Sequence, residues 1–268
     1  LACERIGTGE PLVLIHGIGH RRQAWYPVVD QVAERREVIL VDLPGHGESD
    51  PLVTEGRPID EVLSAEFRAF LAEQELVRPH VAGNSLGGRI ALEAGVRGDA
   101  RSVTALSPAG FWRSDLAFAY TQSLFRTVSS ISGRIGPRAP RMSRSRAGRA
   151  VMFGWLTTHP SALDPDRALG DFQAFTAAMP ALREIIGQAT PFEGVIPPDV
   201  PVTVAWGARD LVLPSYQAAV AARMLPQATH VRLPGCGHVP MSDDPALVAT
   251  VLLAGSAPVR PSATPLAS

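Results

Sequence analysis

Ser85 sits in Gly83-Asn84-Ser85-Leu86-Gly87, between the short apolar run Arg78–Ala82 and a helical pattern, Gly88–Ala94. A serine flanked by glycines at a strand-to-helix turn can be held in a sparsely populated backbone conformation, with its hydroxyl lifted clear of the sheet. The helix that follows offers free N–H groups that favour an oxyanion. The chemistry indicated is attack by an activated hydroxyl on an acyl carbon. A serine hydroxyl needs a base for this, and the base needs a carboxylate to orient it.

Both occur downstream in the order that such a turn calls for. Pro201–Trp206 has the composition of a buried strand, and Gly207-Ala208-Arg209-Asp210 turns out of it. Asp210 is the candidate acid. Thr229–Leu233 is a further short strand, followed by Pro234-Gly235-Cys236-Gly237-His238-Val239-Pro240. His238 is the candidate base. If the acid instead follows the preceding strand, Asp115 is the nearest carboxylate. Asp243 and Asp244 read as the N-cap region of the last helix. The oxyanion donors expected are two backbone N–H groups, those of Leu86 and Ile18. Ile18 lies in His16-Gly17-Ile18-Gly19, where the apolar strand Leu12–Ile15 breaks.

These residues must be carried by strands that alternate with helices, the pattern of a parallel sheet covered on both faces. The strands expected are Leu12–His16, Val38–Asp42, the run before Ser85, Val103–Leu106, Pro201–Trp206 and His230–Leu233. Helices are expected near Trp25–Arg35, over Ile59–Leu76, after Ser85, and over Tyr216–Met224 and Pro245–Leu253. Val62, Phe67, Phe70 and Leu71 share one face of the second helix. Between Phe111 and Pro198 the alternation stops and only helical patterns appear. Seven of the nine phenylalanines fall there, with Trp112, Trp155 and Tyr120. Two or three of these aromatics are expected to line a pocket and the rest to pack the insertion.

The chain resembles the α/β-hydrolase superfamily, in the branch with a helical cap. The residues that carry this are His16–Gly19, Asp42-Leu43-Pro44-Gly45-His46-Gly47-Glu48-Ser49, Gly83–Gly88, Gly207–Asp210 and Gly237-His238. The resemblance implies an α/β fold with a mostly parallel central sheet, made from residues 1–110 and 199–255. It places a cap at 111–198. Residues 256–268, three prolines among alanines and serines, read as a disordered tail. The resemblance also implies a Ser85–Asp210–His238 triad, an oxyanion site at Ile18 and Leu86, and no cofactor or metal. The substrate expected is a small hydrophobic or aromatic ester. Two alternatives stay open: carbon–carbon bond hydrolysis of ring-fission diketones, and a ligand receptor with weak hydrolysis. Relatives of the first kind carry tryptophan after the histidine and a substrate-gripping arginine in the cap. Here Val239 follows His238.

Composition bounds the rest. A chain of 268 residues with 46% hydrophobic content and net charge −1 has no basic excess to hold nucleic acid, and no apolar run of membrane-spanning length. Every cation among its 25 basic residues is arginine. Seven of them (Arg126, Arg134, Arg138, Arg141, Arg144, Arg146 and Arg149) fall in a stretch without acids and read as a solvated cap face. A dinucleotide site at Gly17-Ile18-Gly19 with Asp42 lacks its third glycine, Arg22 standing there. His16 is expected to brace the oxyanion loop, His46 and His159 to be structural, and Cys236 to be a buried filler. The chain starts without Met and inside the fold's pattern, so a preceding segment is expected, and the default location is the cytoplasm.

Overall fold

The computed structural model describes residues 1–257. Seven strands form one sheet in the order β1-β3-β2-β4-β5-β6-β7. They are β1 (Cys3–Ile6), β2 (Pro11–Ile15), β3 (Glu37–Val41), β4 (His80–Asn84), β5 (Ser102–Leu106), β6 (Val202–Gly207) and β7 (Thr229–Leu233). Every pairing is parallel except that of β1 with β3. Around them run α1 (Tyr26–Ala33), α2 (Ile59–Glu73), α3 (Leu86–Val96), α9 (Tyr216–Met224), α10 (Pro240–Asp243) and α11 (Pro245–Gly255). The α/β architecture expected from the alternation is the one observed.

The central strands are apolar throughout because both faces of the sheet are covered. In β2, Val13 and Ile15 point into the core shared with α2 and α3, alongside Phe67, Phe70 and Ile90. Leu12 and Leu14 point the other way, among Trp25, Val28 and Val32 of the α1 side and Val248 and Leu252 of α11. One strand thus anchors two helical layers through the two-residue period of its side chains. Helix α2 buries Ile59, Val62, Leu63, Phe67, Phe70 and Leu71, the stripe its sequence spacing marks.

The chain runs outward from β2 to β3 and then crosses back over β2 to β4. This reversal leaves a crevice at the carboxyl ends of β2 and β4, the place where open α/β sheets bind ligands. Ile15 pairs with Gly83 in register, so the segments that leave the sheet at His16 and Ser85 lie side by side.

Five helices intervene between β5 and β6: α4 (Asp115–Ile135), α5 (Ala139–Arg144), α6 (Arg146–Phe153), α7 (Pro165–Ala177) and α8 (Met179–Gln188). Phe111 and Phe192 stand on the two stalks of this insertion, and their rings pack 5.6 Å apart. Phe111 also meets Trp206 of β6 edge-on, and the Phe192 N–H donates to Gly110 O at 2.9 Å. Buried Arg89 of α3 lies over the Phe192 ring and donates to Thr190 O at 2.9 Å. The entry and exit stalks are therefore fastened to each other and to the sheet.

At the other end, Ser256 does not behave as a tail residue. It is buried, and its hydroxyl donates to Leu252 O at 2.8 Å and accepts from Arg36 at 3.2 Å. The remainder of that stretch, 258–268, lies outside the described residues. Among the described residues no helix is long and apolar enough to cross a membrane.

Phe111 is fully buried where the stalks meet the sheet. Phe111→Ala should lower unfolding stability by about 3–5 kcal/mol, the usual cost of truncating a buried phenylalanine. A denaturant midpoint within a few tenths molar of wild type would show that the stalk packing does not hold the fold.

Candidate active site

Ser85 lies between β4 and α3 with φ 56° and ψ −114°. That conformation is costly for a residue with a Cβ, and the neighbouring glycines show why the turn can nevertheless form. A Cβ on Gly83 would lie 2.2 Å from the Gly87 carbonyl, and one on Gly87 would lie 2.2 Å from Ile15 O. The chain folds back on itself more closely than any side chain allows. Hydrogen bonds then fix the elbow from both sides. Ser85 N–H donates to Leu106 O at 2.9 Å, while Ser85 O accepts from Arg89 N–H and Ala109 N–H at 3.0 and 3.1 Å.

His238 and Asp210, 28 residues apart in sequence, meet at 2.8 Å through Nδ1 and Oδ2. Both are buried. Asp210 Oδ1 accepts from the Val212 and Leu213 N–H groups at 2.9 and 2.8 Å, which directs the other oxygen at the imidazole. With Nδ1–H donating to Asp210, a neutral ring presents Nε2 as its basic atom. Asn84 Nδ2 donates to His238 O at 2.9 Å and to Leu106 O at 3.1 Å, tying the histidine loop to the strand that bears the serine. Ser85 and His238 line the same pocket. Asp115 is exposed in the first turn of α4, so Asp210 is the carboxylate that the structure brings to the imidazole.

The loop after β2 packs directly on the serine, a Cβ on Gly17 coming 3.2 Å from Ser85 Cβ. Among the described residues neither the Ile18 nor the Leu86 N–H has an acceptor, Leu86 being the first residue of α3. Two buried histidines hold this loop. His16 Nδ1 donates to Gly17 O at 2.7 Å and its Nε2 accepts from Leu43 N–H at 3.0 Å. His46 Nδ1 donates to Pro44 O at 2.9 Å and its Nε2 accepts from Gly19 N–H at 2.9 Å. Burial pulls both pKa values down, that of His16 far down, so both rings stay neutral and keep their acceptor nitrogens. Asp42 is fully buried and bound to the Arg22 guanidinium and to the Arg22 and Glu48 N–H groups. Its place in a dinucleotide site is thus taken by the protein itself.

The pocket walls come from the helical insertion. Phe125, Phe153, Trp155, Phe172 and Phe175 line it with Met152 and Val128. This is five aromatics, more than the two or three the sequence leads one to expect. Trp155 is their hub, meeting Phe125 and Phe175 edge-on at 5.7 and 5.9 Å. Phe118 packs on Trp112 instead, and Tyr120 is exposed and donates to Leu211 O. Six of the seven cap arginines are exposed. Buried Arg149 spends its guanidinium on Ser143 O and Ser161 O.

Asp243 departs from its expected role. Asp244 does cap α11, accepting from Leu247 N–H at 3.0 Å. Asp243 ends the short helix α10, which turns its carboxylate toward the insertion instead. It accepts there from the Thr157 hydroxyl and the Thr158 and His159 N–H groups, and from Gly237 N–H at 2.7 Å. Cys236 is the filler expected: burial pushes its thiol up to about 11, so it stays protonated. His20 and Asp171 also line the pocket, and neither was marked as a site residue by the sequence. They lie 151 positions apart, with no local motif to join them.

Two outcomes follow from this geometry. Asp210→Asn should cut turnover roughly 10⁴-fold while the fold survives, because the amide favours the wrong imidazole tautomer. Asp115→Asn should leave turnover unchanged, and steady-state kinetics beside circular dichroism checks both. The second outcome concerns acid. An unfolded histidine protonates below pH ~6.5, whereas His16 and His46 resist protonation when folded. Their contribution to stability is therefore complete above that pH and is lost as pH falls below it. His46→Gln should flatten the fall in unfolding stability between pH 6 and 5 by up to about 1.4 kcal/mol. An unchanged slope would show that His46 does not resist protonation in the fold.

The sequence profile of the alpha/beta hydrolase family matches residues 12–251. Lipase 3 of Moraxella sp. is 25% identical over 243 residues, covering 87% of this chain and 73% of the lipase. The structure of a thermophilic esterase from Thermogutta terrifontis superposes with a TM-score of 0.68 at 22% identity, over 94% of this chain and 90% of that one. A serine hydrolase involved in carbazole degradation, the CarC enzyme, gives 0.64 at 20% identity, over 94% and 92%. The chain belongs to the alpha/beta hydrolase family.

Proposed function

We propose that the protein is a serine hydrolase that cleaves a carboxylic ester with an apolar acyl group through an acyl-enzyme at Ser85. The observation that carries this reading is one pocket holding a strained serine, a carboxylate-bound histidine and five aromatic walls. In the first step His238 Nε2 takes the Ser85 proton as Oγ attacks the ester carbon. Asp210 keeps the imidazole oriented and stabilises its charge. The oxyanion accepts from the Ile18 and Leu86 N–H groups, each such donor being worth roughly 10²–10³ in rate. Collapse of the adduct passes the proton from His238 to the departing alkoxide, which leaves as the alcohol. Water then enters by the same route, His238 taking its proton, and the acid departs as Ser85 regains its own.

The helical insertion at 111–198 acts in this reading as the cap that selects the acyl group. None of its arginines is among the residues lining the pocket, and Val239 follows His238. Both features favour ester over carbon–carbon bond cleavage. A panel of 4-nitrophenyl esters of graded chain length tests the reading. Each buried methylene contributes about 0.8 kcal/mol, roughly fourfold in kcat/KM, until the pocket is full. Ser85→Ala should abolish turnover of every member. Turnover that ignores chain length, or survives in Ser85→Ala, would overturn the assignment, while slow turnover with strong ligand-dependent thermal stabilisation would mark a receptor.

A further inference from the structure

Besides Ser85, Asn84, Ser132 and His238, the pocket has a polar corner. It is built by His20, at the end of the loop after β2, and Asp171, on α7 of the insertion. Nδ1 of His20 accepts the Arg21 N–H at 3.1 Å. Burial lowers the His20 pKa, so the ring is neutral, and with Nδ1 accepting, its one proton sits on Nε2. Among the described residues that N–H has no acceptor.

Asp171 is buried and complements it. Its Oδ1 accepts from Arg21 Nε at 3.0 Å. Its Oδ2 has only the charge of Arg167 Nε, 3.6 Å away and too far for a hydrogen bond. Arg167 donates to Ala24 O and the Ser242 hydroxyl through Nη2, while its buried Nε–H has no hydrogen-bond partner. This corner of the pocket thus presents a donor without an acceptor at His20 and a carboxylate oxygen without a hydrogen bond at Asp171. An acyl group made only of carbon would cover both without satisfying either, a penalty sites of this kind use for discrimination.

We propose that His20 and Asp171 recognise a hydroxyl on the acyl chain, so that the preferred substrates are esters of hydroxy acids. The inference rests on the hydrolase reading of Ser85. A hydroxyl is the group that fits because it accepts from His20 Nε2–H and donates to Asp171 Oδ2 at once. A keto oxygen would serve the histidine and leave the carboxylate bare. A substrate carboxylate would accept from the histidine but has no proton to donate to Asp171.

The test compares 4-nitrophenyl butyrate with its 2-hydroxy and 3-hydroxy counterparts on the full chain. At least one hydroxylated ester should exceed the parent in kcat/KM by tenfold or more. His20→Phe keeps a ring and removes the donor, and it should bring that ratio to about one. His20→Gln restores an N–H and should recover part of the preference. A ratio of one or less in the wild type, or a ratio unchanged by His20→Phe in protein that still melts cooperatively, would overturn the proposal. Labelling of Ser85 by a small fluorophosphonate, run on each protein, separates the two readings. A wild type that labels at Ser85 but shows no hydroxyl preference loses only the His20–Asp171 assignment. One that neither labels nor turns over any ester loses the hydrolase reading as well.

Discussion

The site depends on a backbone approach closer than side chains permit. Gly87 lies against the Ile15 carbonyl and Gly83 against Gly87, so β4 can turn into α3 within two residues of the sheet. This turn holds Ser85 at φ 56° and sets its side chain at the crevice where the strand order reverses. The strain is local, and its compensation is not. The Leu106, Ala109 and Arg89 backbone groups bind the elbow, and each belongs to a different element or loop of the core. An unassisted serine is a poor nucleophile, and in the proposed reading His238 is its base. The Asn84 amide joins the histidine loop to the same strand end.

A second set of contacts links that loop to the insertion. Val239 N–H donates to Leu156 O at 3.0 Å and the Thr158 hydroxyl to Gly235 O at 2.8 Å. Asp243 gathers Thr157, Thr158, His159 and Gly237 on one carboxylate. Trp155 and Leu156, both pocket residues, directly precede this laced segment. The pocket walls and the loop that carries His238 are therefore one connected body. Buried neutral histidines do the same for the opposite wall, His16 and His46 holding the Gly17–Gly19 loop through nitrogens that accept only while unprotonated.

What the sequence makes legible follows from how local each signal is. The Ser85 turn, the apolar strands and the stripe of α2 depend on neighbours within a few residues, and they read directly. Asp210 and His238 are far apart, yet each lies in the loop after a recognisable strand, so chain order brings them to notice. The aromatic count of the pocket does not read. Which aromatics line it is set by how the five insertion helices fold over the crevice, while Phe111 and Phe192 pack at the base of the stalks, where two distant segments close. Asp243 resembles a helix cap by position and is turned away by the short helix α10. His20 and Asp171 share a corner only because α7 lies over the loop after β2, a tertiary fact with no sequence period.

The central claim is that Ser85 carries the acyl group between the two halves of the reaction. The direct measurement is the mass of the Ser85-containing peptide from protein acid-quenched during turnover of a 4-nitrophenyl ester. The account predicts that this peptide gains the mass of the acyl group less one hydrogen, in step with a burst of one nitrophenol per chain. Deacylation can be slowed by low temperature to hold the adduct. An adduct on another residue, with turnover intact in Ser85→Ala, would contradict it.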